Sequence, residues 1–194
     1  MKRIYNNINL ANRNSFGVVE SAATLVEFDT VNDLREYFTT EKPTSWYVLG
    51  AGNNTLFTKF YDGVLIVPKS GARTILNDDG QWVDIRVEAA HDWDELVAWS
   101  VEQGLWGIEN LSAIPSSVGA APVQNIGAYG AEAKDAITVV EYFDTRTMEV
   151  VRLSNDECRF AYRESIFKQE LKGCAIILAV EFRLGRTPRP NLGY

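Results

Sequence analysis

The apolar positions of this chain change period several times, and each change marks an element. Ala23–Phe28 is a short apolar run of strand length. From Thr30 to Thr39, Val31, Leu34 and Phe38 fall at helical spacing, with Thr30 or Asn32 available as a polar N-cap. Trp46–Leu49 and Gly63–Val67 read as two further strands. A strand–helix–strand start of this kind predicts a small α/β unit with a parallel pair. Residues 1–20 are asparagine-rich and read as an irregular lead-in anchored by Phe16.

Residues 70–82 are polar and turn-rich and make the best boundary between two units. Beyond them Val83, Ile85 and Val87 alternate with Asp84, Arg86 and Glu88, the pattern of a half-buried strand. Asp92–Gln103 predicts an amphipathic helix with Trp93, Leu96, Val97 and Val101 on its apolar face and Gly104 closing it. Ile137–Phe143 and Val150–Leu153 read as a hairpin around Asp144–Met148. Ser154 and Glu157 stand at capping-box spacing, so a short helical turn starts there. Cys174–Leu184 is a long strand, and Gly185–Tyr194 is a proline-broken connector.

One stretch follows neither period. Gly107–Gly130 (GIENLSAIPSSVGAAPVQNIGAYG) carries no charge after Glu109 and is dense in glycine, alanine and serine. A disordered linker would not hold Ile114, Val118, Val123, Ile126 and Tyr129 spaced through it. The expectation is an ordered, largely buried loop whose small residues let the backbone approach a ligand.

Composition narrows the function. With 46% hydrophobic residues the 194-residue chain has ample core. A net charge of −7 argues against a nucleic-acid backbone or an anionic membrane as partner, while leaving room for an anionic small molecule in a locally positive cleft. Two cysteines, Cys158 and Cys174, are too few for a disulfide scaffold and read as buried thiols of a cytoplasmic protein. The N-terminal stretch lacks the apolar core of a signal peptide, and no apolar run approaches membrane-spanning length. His91 is the only histidine, so neither a histidine metal cluster nor a Ser–His pair is expected. Asp78-Asp79 and Asp92, Asp94 and Glu95 read as solvated faces.

Gly50-Ala51-Gly52 follows a strand, a place where main-chain N–H groups bind phosphate. Thr55 occupies the position of the third glycine of a Rossmann fingerprint, and no long helix can open before Asp62-Gly63. A Rossmann site is therefore rejected, and alone this loop is a tight turn. Paired with the loop at 115–130, it becomes one of two glycine-rich loops able to cover a pyrophosphate from opposite sides, with a dinucleotide as the natural ligand. Arg163 lies among aromatics, where a structural ion pair is the commoner role and a guanidinium clamp on a carboxylate or oxyanion is the functional one. Spacing alone favours the structural role. Tyr129 and Tyr194 either pack or hydrogen-bond a ligand.

LGAGNNTLF at 49–57, the loop at 107–130 and CRFAYRESIFK at 158–168, in that order, resemble the UDP-N-acetylenolpyruvoylglucosamine reductases, also called UDP-N-acetylmuramate dehydrogenases. The QNIGAYG and YRES segments are the specific part of the likeness. It implies an α+β chain of two α/β subdomains of the vanillyl-alcohol-oxidase type, residues 1–70 and 71–185, that grip FAD non-covalently. It also implies that 186–194 leads to a further, substrate-binding domain, making this chain a fragment without its own turnover. The FAD contacts implied are Gly50, Ala51, Gly52, Asn53, Asn54, Thr55 and Leu56 from the first loop, and Ile114, Pro115, Ser116, Ser117, Gly119, Ala120, Gln124, Asn125 and Gly127 from the second.

By the same resemblance Arg163 stabilises an enolate, and Tyr129, Tyr162 and Tyr194 lie against a UDP-sugar substrate. NADPH would be the hydride donor, and peptidoglycan precursor synthesis the pathway. The family's serine proton donor and catalytic glutamate would fall beyond residue 194. Ser116 departs from the family's Ile-Pro-Gly and is expected to restrict the approach of the loop to FAD. No metal, nucleic acid, membrane or obligate protein partner is implied. The alternatives are a non-catalytic flavin- or nucleotide-binding module and another flavin oxidoreductase of this fold.

Overall fold

The apolar run predicted near residue 23 is the strand β2 (Ser21–Phe28), in which Ala22, Leu25, Val26 and Phe28 are buried. The structure, a computed structural model, describes residues 1–188. Helix α1 (Val31–Glu41) follows, capped reciprocally: the Thr30 hydroxyl accepts the Asp33 N–H, and the Asp33 carboxylate accepts the Thr30 N–H. The chain returns as β3 (Trp46–Val48) and, after the first glycine-rich loop, β4 (Tyr61–Pro68). β4 lies between β2 and β3 and is parallel to both, as the strand–helix–strand pattern requires.

The fourth strand of this sheet corrects the reading of residues 1–20. Arg3–Asn9 (β1) pairs antiparallel with β2 along the sheet edge. Most of its side chains are exposed, so the asparagines need not alternate with apolar residues and leave no strand period to read. Phe16 is exposed and anchors nothing; the fully buried Leu10 does.

The second sheet is antiparallel throughout. It contains β5 (Arg73–Asp78) and β6 (Trp82–Glu88), then, past a two-residue ladder of β7 (Gly127–Ala128) and β8 (Ala131–Glu132), β9 (Ile137–Asp144), β10 (Glu149–Ser154) and β11 (Ala175–Gly185). The order is β10-β9-β11-β6-β5. The turn-rich stretch at 70–82 thus holds an edge strand, β5, exposed along nearly its whole length and therefore polar. Alternation in β6 is as expected: Val83, Ile85 and Val87 are buried. The predicted hairpin is β9–β10, and Ser154 and Glu157 form the reciprocal cap at its end.

Helix α2 (Trp93–Glu102) covers this sheet, with Trp93, Leu96 and Val97 buried. Val101, expected on the apolar face, is half-exposed, and Ser100 is buried instead. Ser100 satisfies its hydroxyl by donating to the Val97 carbonyl (2.8 Å), so a polar residue sits in the core without an orphaned group. Asp92 is exposed, as expected, and also caps the helix, accepting the N–H groups of Asp94 and Glu95.

The two sheets share a core. Phe38 of α1 stands 6.2 Å, centroid to centroid, from Phe143 of β9, and Ile176 and Leu178 of β11 join the same cluster with Val26 and Ile66. Arg35 adds a polar tie, its Nε donating to the Met148 carbonyl (3.1 Å) between β9 and β10. The first glycine-rich loop, at the end of β3, is thereby held facing the second sheet.

Glu27 of β2 is buried and accepts from Arg13 (2.9 Å) and Arg3 (3.1 Å), with Lys69 nearby. Burial disfavours its charge, yet the two guanidinium hydrogen bonds outweigh that and hold its pKa below the ordinary carboxylate value. A depressed folded pKa gives stability that is present above the unfolded value and lost as pH falls through the folded one. Glu27→Gln should therefore lower stability by about 1–3 kcal/mol at pH 7. The deficit should shrink as the pH drops below about 4.3. Urea unfolding at a series of pH values checks this; a deficit constant from pH 7 to pH 3 would contradict it.

Candidate functional site

Between the sheets lies a cavity of about 560 Å³, walled by Gly50–Thr55 from the first loop and by Ile114–Ser117, Gly119, Ala120 and Gln124 from the second. The two loops expected to oppose one another do so. Across the gap Asn54 Nδ2 donates to Gln124 Oε1 (3.5 Å), and a Cβ on Gly50 would stand 2.9 Å from Ser117 Oγ.

The first loop is pinned from behind. Gly52 has φ +75°, and a Cβ there would meet the Arg13 carbonyl oxygen at 2.1 Å, so only glycine fits. Ser15 N–H donates to the Gly52 carbonyl and Ser15 Oγ to the Asn53 carbonyl. The carbonyl side of the loop is used in this way. Its N–H groups, from Gly50 to Thr55, make no hydrogen bond among the described residues. A run of unpaired main-chain donors on a cavity wall suits an anion, and phosphate in particular.

The second loop is stitched to the segment that leads into α2. Trp93 N–H donates to the Ser116 carbonyl, Val118 N–H to the His91 carbonyl and Gly119 N–H to the Ala89 carbonyl. Gly119 lies so close that a Cβ would be 2.6 Å from Ala89 Cβ and 3.1 Å from its Cα. Asp94 draws in the upstream turn, accepting from Ala113 N–H (2.7 Å) and Ser112 Oγ (2.8 Å). These bonds hold its carboxyl below the usual value, so it too is more than a solvated acid. Ser116 lines the cavity with its φ outside the left-handed region, and its hydroxyl donates to the Ser117 carbonyl. A serine is thus carried here without backbone strain.

The YRES segment packs on the far end of the second loop. Asn125, fully buried with φ +43°, donates to the Ala161 carbonyl and accepts the Lys134 N–H. Ser165 Oγ donates to the Val123 carbonyl (2.6 Å), and Arg163 Nη2 donates to the Gly127 carbonyl (2.8 Å). Arg163 itself has φ +54° in the tight turn Ala161–Glu164. A non-glycine residue in that region is worth about 1–3 kcal/mol of strain, held only where surrounding bonds over-determine it. Asn125 and Gly127 are therefore behind the cavity wall, joining it to the arginine turn. Tyr162, at the tip of that turn, and Tyr129 are exposed beyond the cavity, as is Leu56 at the end of the first loop. Tyr194 lies outside the described residues.

Sequence reasoning missed the third wall: Phe167, Lys168, Leu171, Lys172, Ala175 and Ile177, with Trp46, Val48 and Pro68 facing them. Phe167 and Lys168 close the motif at 158–168 without a role assigned to them, and Leu171, Lys172, Ala175 and Ile177 had no signal but their position just downstream of it. Cys158 is buried and its thiol is pushed up to about 12 by that burial, which leaves no nucleophile there. His91 Nδ1 donates to the Gly71 carbonyl (2.7 Å), which ties it to the strand connection.

Residues 22–154 match a protein family described as FAD binding domain. The chain belongs to that family. Curated relatives of this FAD binding domain include the UDP-N-acetylenolpyruvoylglucosamine reductases of Neisseria gonorrhoeae, 45% identical over 185 residues, and Aliivibrio fischeri, 42% identical over 183. Each alignment covers 93% of this chain, and the chain spans about half the length of these relatives, 53% and 52%. Among solved structures it is similar to the UDP-N-acetylenolpyruvylglucosamine reductase of Thermus caldophilus, with TM-score 0.76, 26% identity, and coverage of 98% of this chain and 65% of that one. A solvent-stable cholesterol oxidase aligns at TM-score 0.60 and 10% identity, over 95% of this chain and 38% of its own, a likeness of fold alone. These neighbours show the expected α+β, vanillyl-alcohol-oxidase-type FAD-binding fold. No helix among the described residues is long and apolar enough to cross a membrane.

Gly119→Ala should cost about 1–3 kcal/mol by overpacking. Adding Ala89→Gly removes the Cβ it strikes and should return part of that loss. A double-mutant cycle by denaturant unfolding reads the coupling; strictly additive effects would show that the approach of these two residues is not what limits position 119.

Proposed function

We propose that the cavity holds FAD non-covalently, and that the chain is the cofactor-gripping part of a UDP-N-acetylenolpyruvoylglucosamine reductase. The observation that carries this is the row of unpaired N–H groups from Gly50 to Thr55 opposite the close-packed second loop. A pyrophosphate takes hydrogen bonds from such a row without a charged side chain having to be buried. The neighbouring apolar wall of Phe167, Leu171 and Ile177 suits an aromatic ring system. The two subdomains would be residues 1–70 and 71–185, one per sheet.

Bound there, FAD supplies hydride transfer, with NADPH as donor and the enolpyruvyl group of a UDP-sugar as acceptor. The chain's own part is to hold and orient. Arg163, fixed by Gly127 and by its strained turn, presents a permanent positive charge beside the cavity. Charge that develops on the substrate's carboxylate-bearing carbon during reduction is stabilised there without reorganisation of the site. Tyr129 and Tyr162, exposed on the same side as the arginine turn, would contact the UDP-sugar, as would Tyr194. The setting would be cytoplasmic peptidoglycan precursor synthesis.

Titrating the 194-residue chain with FAD, followed by flavin absorbance and fluorescence, should give saturable binding that Gly52→Val weakens or abolishes. Absence of binding by a folded chain would overturn the cofactor assignment. In a protein that also carries the remaining half of the relatives' length, Arg163→Ala should lower the rate of substrate reduction about 10²–10³-fold. Flavin reduction by NADPH should change little; equal losses in both half-reactions, read by stopped-flow, would remove the role given to Arg163.

A further inference from the structure

The chain carries 26 acidic against 19 basic residues, and most of its described cations are already paired with carboxylates. The cavity departs from this pattern. Lys168 and Lys172 are the charged residues on its wall, and no carboxylate lines it. Neither lysine forms an ion pair among the described residues, although Glu170 stands between them in sequence. Glu170 is taken by Arg159 on the outer surface. Lys168 is also committed, its Nζ donating to the Arg163 carbonyl (2.8 Å) and so bracing the arginine turn. Lys172 is exposed, on the turn that leads into β11, and its ammonium has no partner among the described residues.

A free ammonium at the mouth of an acid-free cavity, in a protein of net charge −7, is a local reversal of sign. A low-dielectric concave wall strengthens that reversal and draws anions toward it. We propose that Lys172 reads the phosphate charge of the flavin nucleotide, as a second element of the cavity that the Gly50–Thr55 amides also line, and so sets the preference for FAD over unphosphorylated flavin. This rests on the FAD assignment made above. The amides contribute directed hydrogen bonds that work at any ionic strength. An exposed ammonium contributes Coulomb attraction, which salt screens. The two elements are therefore separable by experiment.

Affinities for FAD and for riboflavin are measured on the whole 194-residue chain, wild type and Lys172→Gln, at about 20 mM and 500 mM salt. The expected result is a loss of FAD affinity of about tenfold in Lys172→Gln at low salt, about 1.4 kcal/mol. Riboflavin affinity should be unchanged, and the FAD difference should be much reduced at high salt. Equal FAD affinity in both proteins at low salt would overturn the inference while leaving the cofactor assignment standing. An equal loss for FAD and riboflavin would overturn it too, since packing rather than charge would be at work. A folded wild-type chain that binds neither flavin would overturn the cofactor assignment, and this inference with it. Circular dichroism of the variant distinguishes a local effect from unfolding, and Lys172→Arg, which keeps the charge, should restore FAD binding.

Discussion

The close approach of residues 116–119 to residues 89–93 is the constraint on which the cavity depends. Main-chain hydrogen bonds from Trp93, Val118 and Gly119 lock the two segments at strand distance. That spacing leaves no room for a side chain at Gly119. With this loop fixed to the second sheet, and the first loop fixed to the end of β3, the shared aromatic core around Phe38 and Phe143 sets the width of the gap. Site geometry is thus an outcome of packing between sheets, with little contribution from side chains on the loops themselves.

The same logic extends to the arginine turn. Asn125, Ser165 and Arg163 each bond to main-chain carbonyls rather than to other side chains. Asn125 and Gly127, which look like ligand contacts in the sequence, also tie the second loop to the turn that carries Arg163. A polar residue in a glycine-rich motif can serve the backbone of its own loop as readily as a bound molecule, and burial separates the two: Asn125 is fully enclosed, while Gln124 beside it faces the cavity.

Elements with a strong period were legible from the residues. The buried alternation of β6, the capping pair Thr30–Asp33 and the hairpin β9–β10 all follow local rules that leave marks in sequence. Two edge strands did not. β1 and β5 are exposed on most of their surface, so no apolar period distinguishes them from loops, and only pairing with β2 and β6 makes them strands. Ser100 is buried because it stands seven residues after Trp93 and four after Leu96, on the same helix face, while Val101 falls at the edge of that face near the helix end. In the site, both glycine loops were visible as motifs. The wall carrying Lys168 and Lys172 was not, because a lysine brought to a cavity by the fold has no spacing of its own.

The carbonyl of Arg13 lies against Gly52 from behind, and Arg13 is reached only through β1 and the turn that follows it. A stretch without a motif therefore acts as the backing plate of the first loop. A loop held in place before a ligand arrives loses little further freedom when it binds, and that saving belongs to residues far from any contact. Changes in β1 or in the turn after it therefore bear on how firmly the first loop is held.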